Sequence, residues 1–183
     1  METNLKSTSK FLSYVLRHHP EEIGLTVNEN GWASVDELLD KARKYGKNID
    51  RKLLEKLIEE GGGKKRFTFS EDQQYVRATY GHSIKVDLQL NPKTPPKVLY
   101  HGTAEKNLSS IIEKGLNAQS RNFVHLSVIE YDAHEVGSRH GSVAILAVES
   151  GIMHRDGYVF YQSESEPGIW LTKEVPPKFL NKL

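Results

Sequence analysis

Three prolines fall within five residues of the run Asn91-Pro92-Lys93-Thr94-Pro95-Pro96. Proline fixes φ and lacks a backbone donor, so this run fits neither a helix interior nor a central strand and favours an extended linker. It divides the 183 residues into two lobes, 1–90 and 91–183, each near the lower end of ordinary domain sizes. The two sides also read with different periods, which predicts an α+β protein whose helices are concentrated in the first lobe and whose strands are concentrated in the second.

In the first lobe, Ser7, Thr8 and Ser9 offer N-caps to a helix with apolar positions at Phe11, Leu12, Val15 and Leu16, closed by Pro20. Ser34 and Glu37 have capping-box spacing ahead of Val35, Leu38, Leu39 and Ala42, with Gly46 as the stop. Asp50 precedes a third stripe at Leu53, Leu54, Leu57 and Ile58, which Gly61-Gly62-Gly63 ends. Phe67-Thr68-Phe69 and Tyr75-Val76-Arg77 flank a polar turn and predict a hairpin. Two helices joined by a short turn and followed by a two-stranded wing match a winged helix-turn-helix, a module that often grips nucleic acid. Fold alone does not establish that use.

The second lobe opens with the strand Lys97–His101, running into Gly102-Thr103. A helix carrying Leu108, Ile111 and Ile112 follows, ending at Gly115. Short strands are predicted at 123–127, 142–148, 158–161 and 169–171, with one helical stretch around Tyr131 to Val136. Many short strands and few helices argue for a mixed or antiparallel sheet, not a doubly wound fold. No Gly-x-Gly-x-x-Gly follows a strand, so a nucleotide would have to be held by another architecture.

Charge narrows the search for partners. The chain has 25 Lys and Arg against 24 Asp and Glu, a net charge of +1. Phosphate binding must therefore come from a few placed arginines and not from a general field. Cysteine is absent, which excludes disulfides, thiolate nucleophiles and cysteine-based metal sites. No segment approaches the roughly 20 apolar residues of a membrane span, and Met1–Lys6 lacks the pattern of a signal peptide. A cytoplasmic, monomeric protein without a membrane partner is expected.

Arg17 sits beside His18 at the end of the first helix. Arg77 ends the wing, just before Tyr80-Gly81-His82-Ser83, and Arg139 lies in the small-residue loop Val136–Ser142. A guanidinium offers forked donors that match phosphate oxygens and keeps its charge at any working pH. A single arginine is most often a surface residue, and spacing alone does not make these three converge. The histidines show no metal-ligand spacing, so no metal is expected. His101 and His125 read as hydrogen-bonding residues on strands. Lys64-Lys65-Arg66-Phe67 suits either a nucleic-acid backbone or a solvated turn. Trp32 and Trp170 are assigned to cores, and Glu164 and Glu166 to a solvated loop.

Taken in order, several segments carry a specific likeness. They are Ser9–His18, Gly31-Trp32-Ala33, Lys65-Arg66-Phe67, Arg77-Ala78 with Gly81-His82-Ser83, and Leu99-Tyr100-His101-Gly102-Thr103. They continue with Val124-His125-Leu126-Ser127, Gly137–Ser142 and Ile169-Trp170-Leu171-Thr172. Together they resemble the RNA 2′-phosphotransferase family of the KptA type, which includes the tRNA-splicing 2′-phosphotransferases. The resemblance implies a winged-helix lobe that holds 2′-phosphorylated RNA and an ADP-ribosyltransferase-like lobe that holds NAD as co-substrate. It implies Arg17, His18, Arg77 and Arg139 as the catalytic set. Arg77 would seat the 2′-phosphate, Arg139 would bridge it to the NAD-derived ribose, and Arg17 and His18 would serve the second step. His101, Gly102, Thr103, His125, Ser127 and Ser142 would line the NAD site, and Lys65, Arg66, His82 and Ser83 would hold the RNA. The polar turn Glu164–Pro167 is longer than in many members of the family.

Two other readings share these features. A mono-ADP-ribosyltransferase or NAD glycohydrolase would stop after the first step, but Ile169, not Glu, opens the last strand. A winged-helix nucleic-acid binder without catalysis would leave the second lobe without a task.

Overall fold

The protein is described by a computed structural model covering residues 2–60, 65–138 and 141–183. The expected helix stop at Gly61-Gly62-Gly63, together with Lys64, Arg139 and His140, lies outside the described residues. The chain forms two compact units. One comprises Met1–Gln89 together with Glu164–Glu166, and the other comprises Leu90–Ser163 and Pro167–Leu183.

The first unit packs three helices on a small sheet: α1 (Glu2–Arg17), β1 (Ala33–Ser34), α2 (Val35–Lys44), α3 (Arg51–Glu60), β2 (Phe67–Phe69) and β3 (Tyr75–Ala78). Helix α1 begins well before the Ser7–Ser9 caps that the sequence suggests. Leu5 packs against the core, and Thr8 is buried beside the stripe of Leu12, Val15 and Leu16. Apolar burial along the stripe, about 1.5–3 kcal/mol per fully buried large side chain, thus extends the helix through three residues that prefer caps. Helix α2 starts where expected, with the Ser34 side chain accepting from the Glu37 amide at 3.4 Å. Only half of a capping box forms, because the Glu37 carboxylate instead accepts from the amide and hydroxyl of Thr26, both at 3.1 Å. Asp50 caps α3 through the Leu53 amide at 2.8 Å. The predicted hairpin forms, with Thr68 opposite Arg77, and β1 adds a third antiparallel strand in the order β1-β3-β2.

The second unit contains β4 (Leu99–Ala104), α4 (Leu108–Lys114), β5 (Leu116–Asn117), β6 (Val124–Ser127), α5 (Glu130–Gly137), β7 (Val143–Val148), α6 (Ser150–Arg155), β8 (Phe160–Gln162), β9 (Ile169–Thr172), β10 (Glu174–Val175) and β11 (Leu180–Lys182). Six strands form an antiparallel sheet in the order β11-β7-β4-β6-β9-β8, and β5 pairs with β10. The proline-rich run is extended and tied to β8, with the Lys93 amide bonded to the Phe160 carbonyl at 2.9 Å. Helix α5 lies directly on β4. A Cβ on Gly102 would come within 1.8 Å of the Ala133 carbonyl oxygen, and one on Gly137 within 2.4 Å of Val143 Cγ2. The core gathers Leu99, Leu126, Leu146, Met153, Phe160 and Trp170, so Trp170 is the core residue the sequence suggests.

No described helix is long and apolar enough to cross a membrane.

Candidate functional site

In the first unit the end of α1 meets the segment that follows β3. The Arg17 carbonyl, which α1 leaves without an intrahelical partner, accepts from the amides of Ser83 at 2.9 Å and Ile84 at 3.2 Å. These bonds fix the tight turn 80–83 against the helix end. Gly81 sits at φ +84°, a left-handed conformation that L side chains rarely adopt, so glycine suits this turn whatever the space around it. The Arg17 guanidinium sits 4.8 Å over the Tyr80 ring and 5.9 Å from that of Phe67, aromatic faces that suit a cation. His18 Nδ1 and Ser83 Oγ are 2.9 Å apart. The Ser83 hydroxyl also lies 3.5 Å from the Arg17 carbonyl, toward which it donates.

Arg77 projects from β3 into a cage made by the loop before β1 and the segment after the turn. Its Nη1 reaches the carbonyls of Asn30 at 3.4 Å and Leu88 at 3.5 Å. Its guanidinium stacks 4.5 Å over the Trp32 ring, and Nη2 lies 3.5 Å from a Glu164 carboxylate oxygen. Arg77 is only 9% exposed. Burial lowers its pKa and Glu164 opposes that shift, but an arginine still carries its charge at any working pH. Trp32 is therefore not a core residue as the sequence reading has it. It is half-buried beneath Arg77 and lines an open cavity of about 430 Å³ with Asn28, Ser70, Asp72 and Tyr75.

His82 lies among these cations. It is 2% exposed, and burial, reinforced by Arg17, His18 and Arg77, pushes its pKa down to about 3. It is thus a neutral imidazole at working pH. Among the described residues, Arg77 Nε and His82 Nε2 are buried without a hydrogen-bond partner. Leaving such groups unpaired costs about 1–3 kcal/mol each, and unpaired groups of this kind often mark places where a ligand completes the bonding.

Of the four residues expected to carry catalysis, the first unit brings Arg17, His18 and Arg77 around His82. Arg139 lies outside the described residues. Ser83 joins the cluster through His18. The Lys65 and Arg66 carbonyls both face the Thr79 hydroxyl at 3.3 Å, and the Lys65 amide donates to the Glu166 carboxylate. Glu164 was missed by sequence reasoning, which placed it in a solvated loop. No local pattern marks a partner 87 residues away.

In the second unit, His101 donates Nδ1–H to the His125 carbonyl at 3.0 Å. Burial lowers its pKa, with that hydrogen bond opposing the shift, so a neutral ring presents Nε2 as the acceptor. Register divides the remaining expected residues. His101 stands opposite Leu146, and Thr103 opposite Ala144, on the sheet face that holds Leu99 and Val148. Ser127 stands opposite Tyr100 and Ile169. His125 therefore shares with Ser127 the face of β6 away from the buried Val124 and Leu126. The absence of a side chain at Gly102 is already required by α5. Thr103 is buried, its hydroxyl accepting from Asn107 Nδ2 at 3.5 Å. The Ser142 carbonyl accepts from the Glu105 amide at 2.8 Å. Among the described residues no group of His, Asp and Glu could hold a metal ion.

Arg77 Nε and the neutral His82 Nε2, buried and without partners among the described residues, make this cluster a candidate anion site in an α+β protein. Residues 3–174 match the sequence model of the RNA 2′-phosphotransferase, Tpt1/KptA family. The chain is 51% identical over 179 residues to a probable RNA 2′-phosphotransferase of Flavobacterium johnsoniae, covering 98% of this chain and 97% of that protein. A probable RNA 2′-phosphotransferase of Acaryochloris marina is 48% identical over 179 residues, with the same coverage. One from Escherichia coli is 46% identical over 180 residues, covering 98% of this chain and 96% of that protein. The protein belongs to the Tpt1/KptA family of RNA 2′-phosphotransferases.

Proposed function

We propose that the protein removes a 2′-phosphate from RNA by transferring it to the ADP-ribose moiety of NAD. The observation that carries this reading is the convergence of Arg17, His18 and Arg77 on a neutral, buried His82, with Arg77 Nε and His82 Nε2 buried and unpartnered among the described residues. Such a cluster suits a phosphate better than a neutral ligand, because its guanidinium donors are charged and largely stripped of water.

NAD supplies an anomeric carbon with nicotinamide as the leaving group. A 2′-phosphate oxygen forms the bond to that carbon as the bond to nicotinamide breaks, and nicotinamide departs with the electron pair. The ribose hydroxyl next to it then attacks phosphorus, releasing its proton to solvent, and the bond to the RNA 2′-oxygen breaks as that oxygen takes up a proton. The products are RNA with a free 2′-hydroxyl and ADP-ribose 1,2-cyclic phosphate. The phosphate is anionic at neutral pH, so the first step needs alignment and not a strong base. Arg77 seats the phosphate. Arg17 spreads the charge that accumulates on phosphorus in the second step, and His18 gives a proton to the departing 2′-oxygen. Arg139 bridges phosphate and ribose. The neutral His101, its Nδ1 proton committed to the His125 carbonyl, fits a ribose hydroxyl that donates to Nε2. The resemblance adds Thr103, His125, Ser127, Ser142 and the backbone at Gly102 to the NAD contacts; of these, Thr103 shares the sheet face of His101, whereas His125 and Ser127 lie on the opposite face.

The first unit is read as a winged helix, on the support of α2, α3 and the β2–β3 hairpin, with Lys65, Arg66, His82 and Ser83 on the RNA. The second is read as ADP-ribosyltransferase-like, on the support of its antiparallel sheet. A splice-junction tRNA is the type of substrate this chemistry serves. Mass analysis of products from NAD and a 2′-phosphorylated oligonucleotide tests the reading. It predicts free nicotinamide, 2′-hydroxyl RNA and the cyclic phosphate; ADP-ribosylated RNA as the stable end product would contradict it and favour a mono-ADP-ribosyltransferase.

A further inference from the structure

The turn Glu164–Glu166 belongs to the first unit, where each of its residues makes a polar contact. Ser165 Oγ donates to Thr79 Oγ1 at 2.6 Å, and the Thr79 hydroxyl donates in turn toward the carbonyls of Lys65 and Arg66. Glu166 accepts from the Lys65 amide. With the following two residues pinned in this way, Glu164 is held beside Arg77 at 3.5 Å.

The two sides of that pair are unequal. The Arg77 side chain is 11% exposed, whereas that of Glu164 is 62% exposed. The guanidinium is fixed by Trp32 and two carbonyls. Among the described residues the carboxylate makes one long contact, and it can swing into water at little cost. We propose that Glu164 is a specificity-determining residue: its carboxylate holds the anion position on Arg77 until a doubly charged phosphate monoester displaces it, so the singly charged phosphodiesters of ordinary RNA are turned away. This inference rests on the 2′-phosphotransferase reading.

Charge makes the distinction. A phosphodiester carries one negative charge, as the carboxylate does, so exchanging one for the other gains nothing. The displaced carboxylate, still tethered next to Ser165, then repels the newcomer. A phosphate monoester carries about −1.5 to −2 at neutral pH and offers three acceptor oxygens. It gains more from Arg77 than the carboxylate does, and it can also reach Arg77 Nε and His82 Nε2, which have no partner among the described residues.

The test compares two oligoribonucleotides of identical sequence, one with a single internal 2′-phosphate and one with 2′-hydroxyls throughout. Their affinities are measured without NAD for the wild type, E164Q and E164A. The wild type prefers the phosphorylated strand. Both variants bind the unphosphorylated strand about five-fold more tightly, gain less on the phosphorylated one, and so lose part of the preference. Their melting temperatures match the wild type, since Glu164 is largely exposed. A preference that both variants leave unchanged overturns the inference, as does weaker binding of both strands. A wild type with no preference overturns the 2′-phosphotransferase reading itself.

Discussion

In the first unit, Arg77 is charged at 9% exposure; among the described residues its three oxygen contacts all lie at 3.4–3.5 Å, and its Nε has no partner. In the second, His101 is held neutral by burial and gives its Nδ1 proton to a main-chain carbonyl at 3.0 Å. The first arrangement keeps hydrogen-bonding capacity in reserve, while the second uses it to fix a ring on a strand. Reserve capacity is costly to bury, and a ligand that fills it gains accordingly. A ring tied to the main chain is only as well placed as the sheet beneath it. The first unit should therefore fail chemically while still folded, and the second should fail through its packing.

The largest effect is expected at Gly102. Gly102→Ala places a methyl within 1.8 Å of a backbone oxygen of α5, which no side-chain adjustment relieves. Denaturant unfolding should show a loss of about 4 kcal/mol or more, in the range reserved for severe core defects. A stable, active Gly102→Ala protein would break the contrast at once.

Arg77→Lys comes next. It keeps the charge but loses the fork, so kcat/KM on a 2′-phosphorylated oligonucleotide should fall by about 10²–10³ with little change in melting temperature. An equal loss of stability would mean that Arg77 serves the fold.

His82 sharpens the comparison through pH. Its folded-state pKa is lowered from 6.5 to about 3. Well above pH 6.5 the ring is neutral in both folded and unfolded chains and contributes nothing to pH dependence. As pH falls, the unfolded chain takes up a proton that the folded protein refuses until about pH 3. Stability therefore drops by about 2 kcal/mol between pH 6.5 and pH 5 from this residue. His82→Gln should flatten that slope in unfolding measured across the range, and an unchanged slope would remove His82 from the buried set.

The smallest effect is Asp50→Ala, which removes the α3 cap and should lower stability by about 1 kcal/mol. It touches no proposed ligand contact, so KM for RNA should not move.

What the sequence disclosed follows the same division. Local chemistry was legible: the Ser34 cap, the helix that follows Asp50, the stop at Gly115, where φ is +80°, and the hairpin of Phe67–Phe69 with Tyr75–Arg77. Elements defined by distant partners were not. Strand β1 is two residues long and exists only because β3 accepts it, too short for any period to show. Helix α6 has six residues, with Met153 buried and Ile152 exposed, and gives no stripe to read. Arg17, His18 and Arg77 could be named from a resemblance spanning the chain, but their convergence on His82 depends on Gly81 and on the turn bonded to the end of α1. Glu164 had no signal, because its meaning lies in Arg77, on a strand far from it in sequence.

We propose that the Arg17, His18 and Arg77 cluster receives the RNA 2′-phosphate. A crystal structure with a bound 2′-phosphorylated dinucleotide tests it most directly. The account predicts phosphate oxygens within hydrogen-bond distance of Arg77 and His82 Nε2, with the Glu164 carboxylate moved off the guanidinium. A phosphate bound elsewhere, with the Arg77–Glu164 pair intact, would contradict it.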